Sequence, residues 1–231
     1  MAIYITGDTH RNFNRIEDFC VENGTTKEDV LIILGDAGIN YYLDRHDQEL
    51  KEWLETFPIT LFMIHGNHEE RASEIDTYEE VEWCGAVAYI EPDFPSLVFA
   101  KDGEIYNLDG RSAIAIGGAY SIDKFYRLNG GGLWFPSEQP TDAIKDYVER
   151  QLDRISWKVD IVLSHTVPLK YEPTHAFLPG VDQSKVDKTT EKWLDTIEER
   201  LDYDEWYAGH YHTESQEGPI RIMHEDYDEI Y

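Results

Sequence analysis

The chain has few cysteines and few basic residues, and both shortages exclude classes of protein. Only Cys20 and Cys84 occur, and they form no CxxC pair, so neither a zinc finger nor a thioredoxin-like site is supported. Both lie among apolar neighbours, which predicts buried thiols. Lysine and arginine number 20 against 47 acidic residues, which gives a formal net charge of −27. Such a surface argues against stable nucleic-acid binding and against docking on anionic membranes.

Long apolar runs are also missing. No stretch approaches the roughly 20 apolar residues of a membrane span, and the N-terminus lacks the basic and apolar regions of a signal peptide. We therefore expect a cytoplasmic protein. Its 231 residues, 41% of them hydrophobic, suffice for one substantial core. Because no repeat or low-complexity tract divides the chain, we predict a single domain over residues 1–231.

The apolar pattern predicts an α/β fold. Strand-like runs at residues 3–5, 30–34 and 59–64 are separated by helical patterns at residues 13–23 and 44–56. This β-α-β-α-β opening predicts a parallel sheet with right-handed crossovers.

Short strands and turns are predicted for the middle of the chain. The strands lie at residues 86–90, 97–100, 104–108 and 111–116, with Asp102-Gly103 and Asp109-Gly110 as hairpin turns between them. A stretch rich in glycine and aromatic residues follows at about 118–140. We interpret it as a long loop near the functional site, because it is too aromatic for a flexible linker.

The C-terminal third is predicted to contain further helices and strands. A helix runs from Thr141 to about Ile155, a strand occupies residues 161–163, and a second helix spans Ser184 to Arg200. Residues 219–224 are interpreted as a last hairpin strand.

Clusters of metal-ligand residues follow the strand-like runs. In chain order they are Gly7-Asp8-Thr9-His10, Gly35-Asp36, Gly66-Asn67-His68-Glu69, Ser164-His165 and Gly209-His210-Tyr211-His212. Together they supply two carboxylates, one amide and five imidazoles, the donors that two divalent cations sharing a carboxylate require. Taken singly, each cluster has a plainer interpretation, such as a turn aspartate, a surface histidine or a helix N-cap at Asn67. Their joint occurrence in this order favours a metal site.

The series resembles the motifs of the calcineurin-like metallophosphoesterase superfamily, which are DxH, GDxx(D/N), GNH(D/E), H and GHxH. The resemblance extends from Asp8 to His212 and implies a four-layer α-β-β-α sandwich with two mixed sheets. It also implies seven metal ligands with Asp36 as the bridge: Asp8, His10 and His212 on one ion, Asn67, His165 and His210 on the other. Mixed nitrogen and oxygen ligands suit Mn, with Fe or Zn as alternatives, better than Mg or Ca.

The implied activity is hydrolysis of phosphate esters of small substrates. In this mechanism a hydroxide bridging the two ions attacks phosphorus, and His68 protonates or orients the leaving alkoxide. A phosphomonoesterase is favoured. The Asp-Arg-Gly triplet of protein phosphatases is missing after Asp36, and His65 stands where those enzymes usually have arginine, which weakens a phosphoprotein-phosphatase assignment.

Three residues are candidates for contacts with the substrate: Arg11, Asn40 and Arg127. Arg11 adjoins a ligand motif, Asn40 stands at the Asp/Asn position of the second motif, and Arg127 lies in the glycine- and aromatic-rich stretch. The plainer alternatives are a solvated loop arginine for Arg11 and a packed aromatic loop around Arg127.

Other functions remain open at this point. One is a phosphodiesterase acting on nucleotides or short nucleic acid. Another is a catalytically silent binding scaffold, although every ligand position is filled. A structural protein with a single zinc ion is the third, and a stoichiometry of two metals would exclude it.

Overall fold

The computed structural model describes residues 1–231 and contains two β-sheets that pack face to face between helices. In chain order the strands are β1 (Ile3–Thr6), β2 (Val30–Ile33), β3 (Thr60–Met63), β4 (Glu79–Trp83), β5 (Ala86–Ile90), β6 (Leu97–Ala100), β7 (Ile105–Leu108), β8 (Arg111–Ile116), β9 (Ile161–Ser164), β10 (Glu205–Ala208), β11 (Ser215–Glu217), β12 (Ile220–Ile222) and β13 (Tyr227–Ile230). The helices are α1 (Asn14–Asn23), α2 (Arg45–Leu54), α3 (Lys124–Tyr126), α4 (Asp142–Arg154) and α5 (Thr189–Glu198). A π-helical turn spans Arg127–Gly131, and short 3₁₀ turns occupy Ala72–Glu74, Leu169–Tyr171, Thr174–Ala176 and Gln183–Lys185.

Both sheets are mixed. The first has the order β13-β1-β2-β3-β6-β5-β4, and the second has the order β11-β12-β10-β9-β8-β7. Strands β1, β2 and β3 are parallel neighbours, as are β8, β9, β10 and β12, whereas β13, β5, β4, β7 and β11 pair in the antiparallel sense. The parallel strands of each sheet therefore end at a common edge.

Alternating side chains divide each central strand between two cores. In β2, Val30 and Ile32 face the core between the sheets, while Leu31 and Ile33 face the layer of α1. Strand β9 shows the same alternation toward α4 and α5. Side chains along a strand point alternately to opposite faces of the sheet. A strand that is covered on both faces is therefore apolar at nearly every position, which explains the continuous apolar runs in the sequence. The predicted four-layer sandwich with two mixed sheets is confirmed.

Two predictions of secondary structure need correction, and of the two thiols predicted to be buried, Cys20 is buried but Cys84 is only half-buried. Asp102-Gly103 is not a hairpin turn, because β6 pairs with β3 and β5 in one sheet while β7 pairs with β8 in the other. The chain crosses between the sheets there, and only Asp109-Gly110 closes a hairpin. The helix predicted from Ser184 begins later, at Thr189, because Asp187 accepts hydrogen bonds from the backbone N–H and the hydroxyl of Thr189.

The helices are all too short or too polar to cross a bilayer, since none combines the length and apolar character of a membrane span.

Candidate metal centre

Metal-ligand side chains from both sheets converge at the carboxyl ends of parallel strands. Asp8 follows β1, Asp36 follows β2, Asn67 follows β3 and His165 follows β9, while His210 and His212 follow β10. Since parallel strands end on one side of a sheet, residues distant in sequence meet there. Three overlapping groups of ligand atoms lie within 4.8 Å of one another: Asp8 with His10 and His212, His10 with Asp36 and His68, and Asp8 with Asp36 and His165.

The first group is centred on the Asp8 carboxylate. Its Oδ2 lies 3.2 Å from Nε2 of His212 and 3.7 Å from Nε2 of His10. The two histidine Nε2 atoms are 2.8 Å apart. Oδ1 of Asp8 accepts the backbone N–H of His210, which leaves Oδ2 buried with no hydrogen-bond donor. A buried carboxylate oxygen facing two imidazoles is well suited to hold a cation.

Asp36 presents its two oxygens to different histidines. Oδ2 lies 3.8 Å from Nε2 of His10 and 3.9 Å from Nε2 of His68, whereas Oδ1 lies 3.5 Å from Nε2 of His165. Oδ1 also accepts the backbone N–H of His68. A carboxylate oriented in this way is able to contact two cations at once.

Asn67 and His165 form the deepest part of the site. Oδ1 of Asn67 lies 2.8 Å from Nε2 of His165, and Nδ2 of Asn67 donates to Oγ of Ser121. Nδ1 of His165 donates to the carbonyl oxygen of Leu34 at 2.7 Å. These outer hydrogen bonds direct the amide oxygen and the Nε2 lone pair toward the same point, as the supporting residues of a metal site do.

His210 completes the predicted ligand set. Its ring lies edge-on to that of His165, with the centroids 5.0 Å apart. Four of the predicted ligands have left-handed backbone conformations, with φ of 45° at His10, 49° at Asp36, 70° at His210 and 48° at His212. Because this region is unfavourable for residues other than glycine, its concentration here indicates strain stored at a functional site.

Burial and neighbouring charges set the protonation of the ligands. Burial alone would raise the pKa of Asp36, but the facing imidazoles, those of His165 and His68 foremost, lower it below its usual range. Burial, reinforced by His165, lowers the pKa of His210 to about 3. The carboxylate is therefore ionised and the imidazole neutral near neutral pH, the forms that bind cations.

The donor set fits a pair of transition-metal cations. It offers imidazole nitrogens, carboxylate oxygens and one amide oxygen, all on buried or half-buried residues except the exposed His212, and the unpartnered Oδ2 of Asp8 lies among them. Nitrogen-rich sets of this kind suit transition metals better than Mg or Ca.

His68 and Arg127 lie beside each other at the edge of the ligand cluster. Nη2 of Arg127 contacts Nδ1 of His68 and lies 3.1 Å from its Nε2. Arg127 is 8% exposed, and it also pairs with Asp123 and donates to the carbonyl of Leu133. Residues 118–140 thus approach the site through Arg127, and their central part forms two helical turns rather than an irregular loop.

The other two predicted substrate contacts lie elsewhere. The Arg11 guanidinium pairs with Asp47 at 2.5 Å, donates to the carbonyl of Gly38 and packs over Tyr42. Asn40 is 0% exposed, and its Oδ1 accepts from the hydroxyl of Tyr78. The structure therefore gives both residues structural partners, and neither lines the cavity beside the ligands, so their contact with the substrate stays a prediction.

Three further residues support the ligands, and the sequence assigned none of them this role. Ser121 orients Asn67, and the ring of His224 stacks on that of His212 with the centroids 5.0 Å apart. Glu69 accepts the backbone N–H groups of Gly38 and Gly66, which joins the loops that carry Asp36 and Asn67. Unlike Ser121 and His224, Glu69 is the last residue of a recognised motif, but its partners become visible only in the fold.

A cavity of about 530 Å³ opens beside the ligands. Asp36, Asn67, His68, His210 and His212 contribute to its wall, and the rest comes mainly from residues 122–123 and 176–191. Its volume is in the range of pockets that bind small organic molecules.

Comparisons with known proteins agree with this geometry. Residues 1–214 match the family described as calcineurin-like phosphoesterase. The solved structure of TT1561 from Thermus thermophilus is similar, with a TM-score of 0.52 and 12% identity over 96% of this chain and 88% of that chain. A phosphopantetheinyl hydrolase from Mycobacterium tuberculosis aligns over the same shares, with a TM-score of 0.48 and 17% identity. A search of curated protein sequences found no match.

The structural likeness to TT1561 supports the fold alone, whereas the family match spans the whole ligand series from Asp8 to His212. That family implies a dinuclear metal centre, and the converging Asp and His side chains provide for one. The chain therefore belongs to the calcineurin-like phosphoesterase family and is a metal-dependent phosphoester hydrolase.

Proposed function

We propose that the chain is a phosphomonoesterase that hydrolyses a small phosphorylated substrate in the cytoplasm. The observation that carries this proposal is the Arg127 guanidinium against His68 at the edge of the ligand cluster. A monoester presents more charge on its terminal oxygens than a diester does. A guanidinium beside the metal ligands favours that extra charge, because its planar donors match phosphate oxygens.

The chain's own residues define how the ions would be held. Asp8, His10 and His212 would hold one ion, Asn67, His165 and His210 the other, and Asp36 would contact both through its two oxygens. Two such cations supply a water acidified at neutral pH and neutralise the charge of the phosphoryl group. The histidine nitrogens favour Mn, with Fe or Zn as alternatives.

His68 is proposed to act on the leaving group. Burial lowers the pKa of His68, Asp36 opposes this shift, and the charge of Arg127 adds to it. The ring is therefore neutral near pH 7. Since a guanidinium only donates, we assign Nδ1 of His68, the ring nitrogen nearer to Nη2 of Arg127, as the acceptor and Nε2 as the nitrogen that carries the proton. That N–H is available to donate to the leaving oxygen as the ester bond breaks.

Charge disfavours extended nucleic acid as the substrate. The net charge is −27, and the cavity wall contains Asp123 and Glu191 but only one lysine or arginine, Lys188. A phosphate backbone would meet repulsion over most of this surface. A phosphodiesterase acting on nucleotides remains the second candidate, because a cavity of about 530 Å³ has room for a nucleoside.

A panel of matched esters tests the proposal. Protein stripped of metal and then supplied with Mn would be assayed on para-nitrophenyl phosphate and on bis-para-nitrophenyl phosphate, which share a leaving group. We expect a higher kcat/KM for the monoester. A preference for the diester would reject the monoesterase assignment, and no turnover of either ester with two metals bound would favour a binding scaffold.

A further inference from the structure

Part of the cavity wall comes from residues that are not metal ligands. We call this part the distal pocket and define it by Ile122, Asp123, Phe177, Leu178, Val186 and Glu191. Four of these side chains are apolar, and they come from two segments separated by more than 50 residues of sequence. The same cavity reaches Asp36 and His68, so a molecule bound to the ligand cluster would extend into the distal pocket.

Each of the two carboxylates of the distal pocket has one buried oxygen without a hydrogen-bond donor. Glu191 is 3% exposed, its Oε1 accepts from the hydroxyl of Thr166, and its Oε2 has no donor. Oδ1 of Asp123 is likewise buried and unpartnered, although its Oδ2 pairs with Arg127. Burying a carboxylate oxygen without a hydrogen-bond donor is unfavourable. A ligand with an N–H or O–H group that donates to this oxygen would therefore bind more tightly than a ligand without one.

The wall of the cavity offers these carboxylates no free cation. Its single lysine or arginine is Lys188, which lies outside the six residues of the distal pocket. Nζ of Lys188 pairs with Glu172 at 2.5 Å and packs 4.9 Å from the centroid of the Phe177 ring. Because Lys188 and Asp123 are each ion-paired, the carboxylate of Glu191, which pairs with no lysine or arginine, determines the sign of the pocket. A second phosphate or a carboxylate on the ligand would be repelled.

Exposed apolar side chains are concentrated in sequence near the residues of the distal pocket. Six of the eleven large hydrophobic residues that are exposed in this chain are Leu178 and five residues between positions 122 and 133, namely Ile122, Phe125, Tyr126, Leu128 and Leu133. Of these six, Ile122 and Leu178 line the cavity. Exposed apolar groups concentrated around a cleft mark a ligand-binding surface more often than a random distribution does.

We propose that the distal pocket binds the leaving group of the substrate, and that this group is an apolar or aromatic alcohol carrying a hydrogen-bond donor such as a protonated amine. Glu191 accepts from the donor, while Phe177, Leu178 and Val186 contact the apolar portion. This inference rests on the proposed monoesterase function. In the reaction the ester P–O bond breaks, water supplies the new oxygen on phosphorus, and a proton goes to the leaving alcohol.

Three aryl monoesters distinguish the contribution of the hydrogen-bond donor of the leaving group from the contribution of its apolar ring. Tyramine phosphate carries an amine, para-ethylphenyl phosphate lacks it, and the phosphate ester of para-hydroxyphenylpropionate replaces it with a carboxylate. The assay would use Mn-loaded protein at mildly alkaline pH, because burial raises the pKa of Glu191 to about 7 and the amine is still protonated above that pH. One charge-assisted hydrogen bond should give tyramine phosphate a kcat/KM about 10-fold above that of the ethylphenyl ester. The carboxylate ester should be the poorest substrate.

Glu191→Gln tests the donor contact. This change keeps the size of the side chain and the acceptor for Thr166 but removes the charge. The preference for tyramine phosphate should fall to near one, while turnover of para-ethylphenyl phosphate is retained, which also shows that the variant folds. Glu199→Gln, an exposed residue at the end of α5, is the matched control and should keep the 10-fold preference. A preference absent from the wild type, or unchanged in Glu191→Gln, overturns the proposal.

Leu178→Ser tests the apolar contact by an independent route. Leu178 is 59% exposed, so its replacement is compatible with folding, and Val21→Ser, at a residue 78% exposed on α1, is the control. Leu178→Ser should raise the KM of para-ethylphenyl phosphate by about 3-fold or more through lost apolar contact. An unchanged KM rejects the contact.

A binding measurement separates this inference from the proposed function. Calorimetric titration of the Mn-loaded protein with tyramine and with para-ethylphenol requires no catalysis. Tighter binding of tyramine that disappears in Glu191→Gln supports the pocket even if none of the monoesters is hydrolysed. Equal binding of the two alcohols, alongside normal hydrolysis of the monoesters, rejects the pocket and leaves the monoesterase function intact.

Discussion

The Arg127 guanidinium and the His68 imidazole are in direct contact, with Nη2 of the arginine 3.1 Å from Nε2 of the histidine. His68 follows the ligand Asn67 in sequence, whereas Arg127 comes from a helical turn about sixty residues later. The contact brings a fixed positive charge to the edge of a cluster that holds two carboxylates. It links the proposed proton donor to the proposed phosphate contact.

Arg127→Ala should weaken substrate binding more than metal binding. The guanidinium lies outside the predicted ligand set, so both metals should be retained while the KM for a small phosphate ester rises about 10-fold. Arg127→Lys keeps the charge but not the planar donors, and its KM should be intermediate. Steady-state kinetics together with metal analysis would check this.

The control for this prediction is Arg45→Ala. Arg45 is exposed and pairs only with Glu49 on the surface of α2. Its kinetics should match those of the wild type. Unchanged KM in Arg127→Ala, at full metal occupancy, would remove Arg127 from the substrate site.

Asp36→Asn should lower metal content and turnover together. Oδ1 would still accept the backbone N–H of His68. The negative charge of the carboxylate, which faces both His10 and His165, would be lost. We expect turnover to fall by about 100-fold or more, with fewer than two metals per chain. Metal quantification after dialysis, combined with activity assays, measures both quantities. Full activity with two metals bound would contradict the bridging role.

His68→Ala should separate chemistry from metal binding. If His68 donates a proton to the leaving group, both metals remain and the rate falls by roughly 10²–10⁴ on esters with poor leaving groups. Activated aryl phosphates should be affected less, because their leaving groups need little protonation. An equal loss on the two kinds of ester, or a loss of metal, would argue against the proposed role.

The sequence predicted the sheet and the ligand clusters because both leave local signals. Continuous apolar runs marked β2 and β3, and the polar clusters that follow such runs led to Asp36 and Asn67. The strands that were missed are β4, β11 and β13, each at the edge of its sheet. Edge strands carry charged and polar residues on their exposed side, so their alternation is weak.

Strand pairing and contacts between distant residues leave no local pattern in the sequence. Asp102-Gly103 correctly marked a turn with positive φ at Gly103, but turn residues do not reveal which strands pair. Glu191 lies on a helix rich in charge, and its burial against Thr166 depends on contacts with β9 and its following segment. Such residues become candidates only when the fold brings them to one cavity.

Gly35 provides the sharpest test of how the fold supports the metal site. Its φ is +97°, and a Cβ at this position would lie 2.2 Å from Nδ1 of His165. Gly110 has nearly the same φ, +96°, but a Cβ there would meet nothing within 4 Å. The two alanine variants therefore share the backbone strain and differ in the clash with a predicted ligand.

We expect Gly110→Ala to lose about 1–2 kcal/mol of unfolding free energy through its left-handed backbone alone, and to bind two metals normally. Gly35→Ala should lose about 3 kcal/mol or more, because His165 must also leave its hydrogen bond to the carbonyl of Leu34. Displacement of His165 should lower metal occupancy as well. Urea denaturation of the metal-free proteins and metal analysis of the loaded proteins would measure the two effects. Equal stability losses in the two variants, or full metal occupancy in Gly35→Ala, would show that the site does not depend on this close approach.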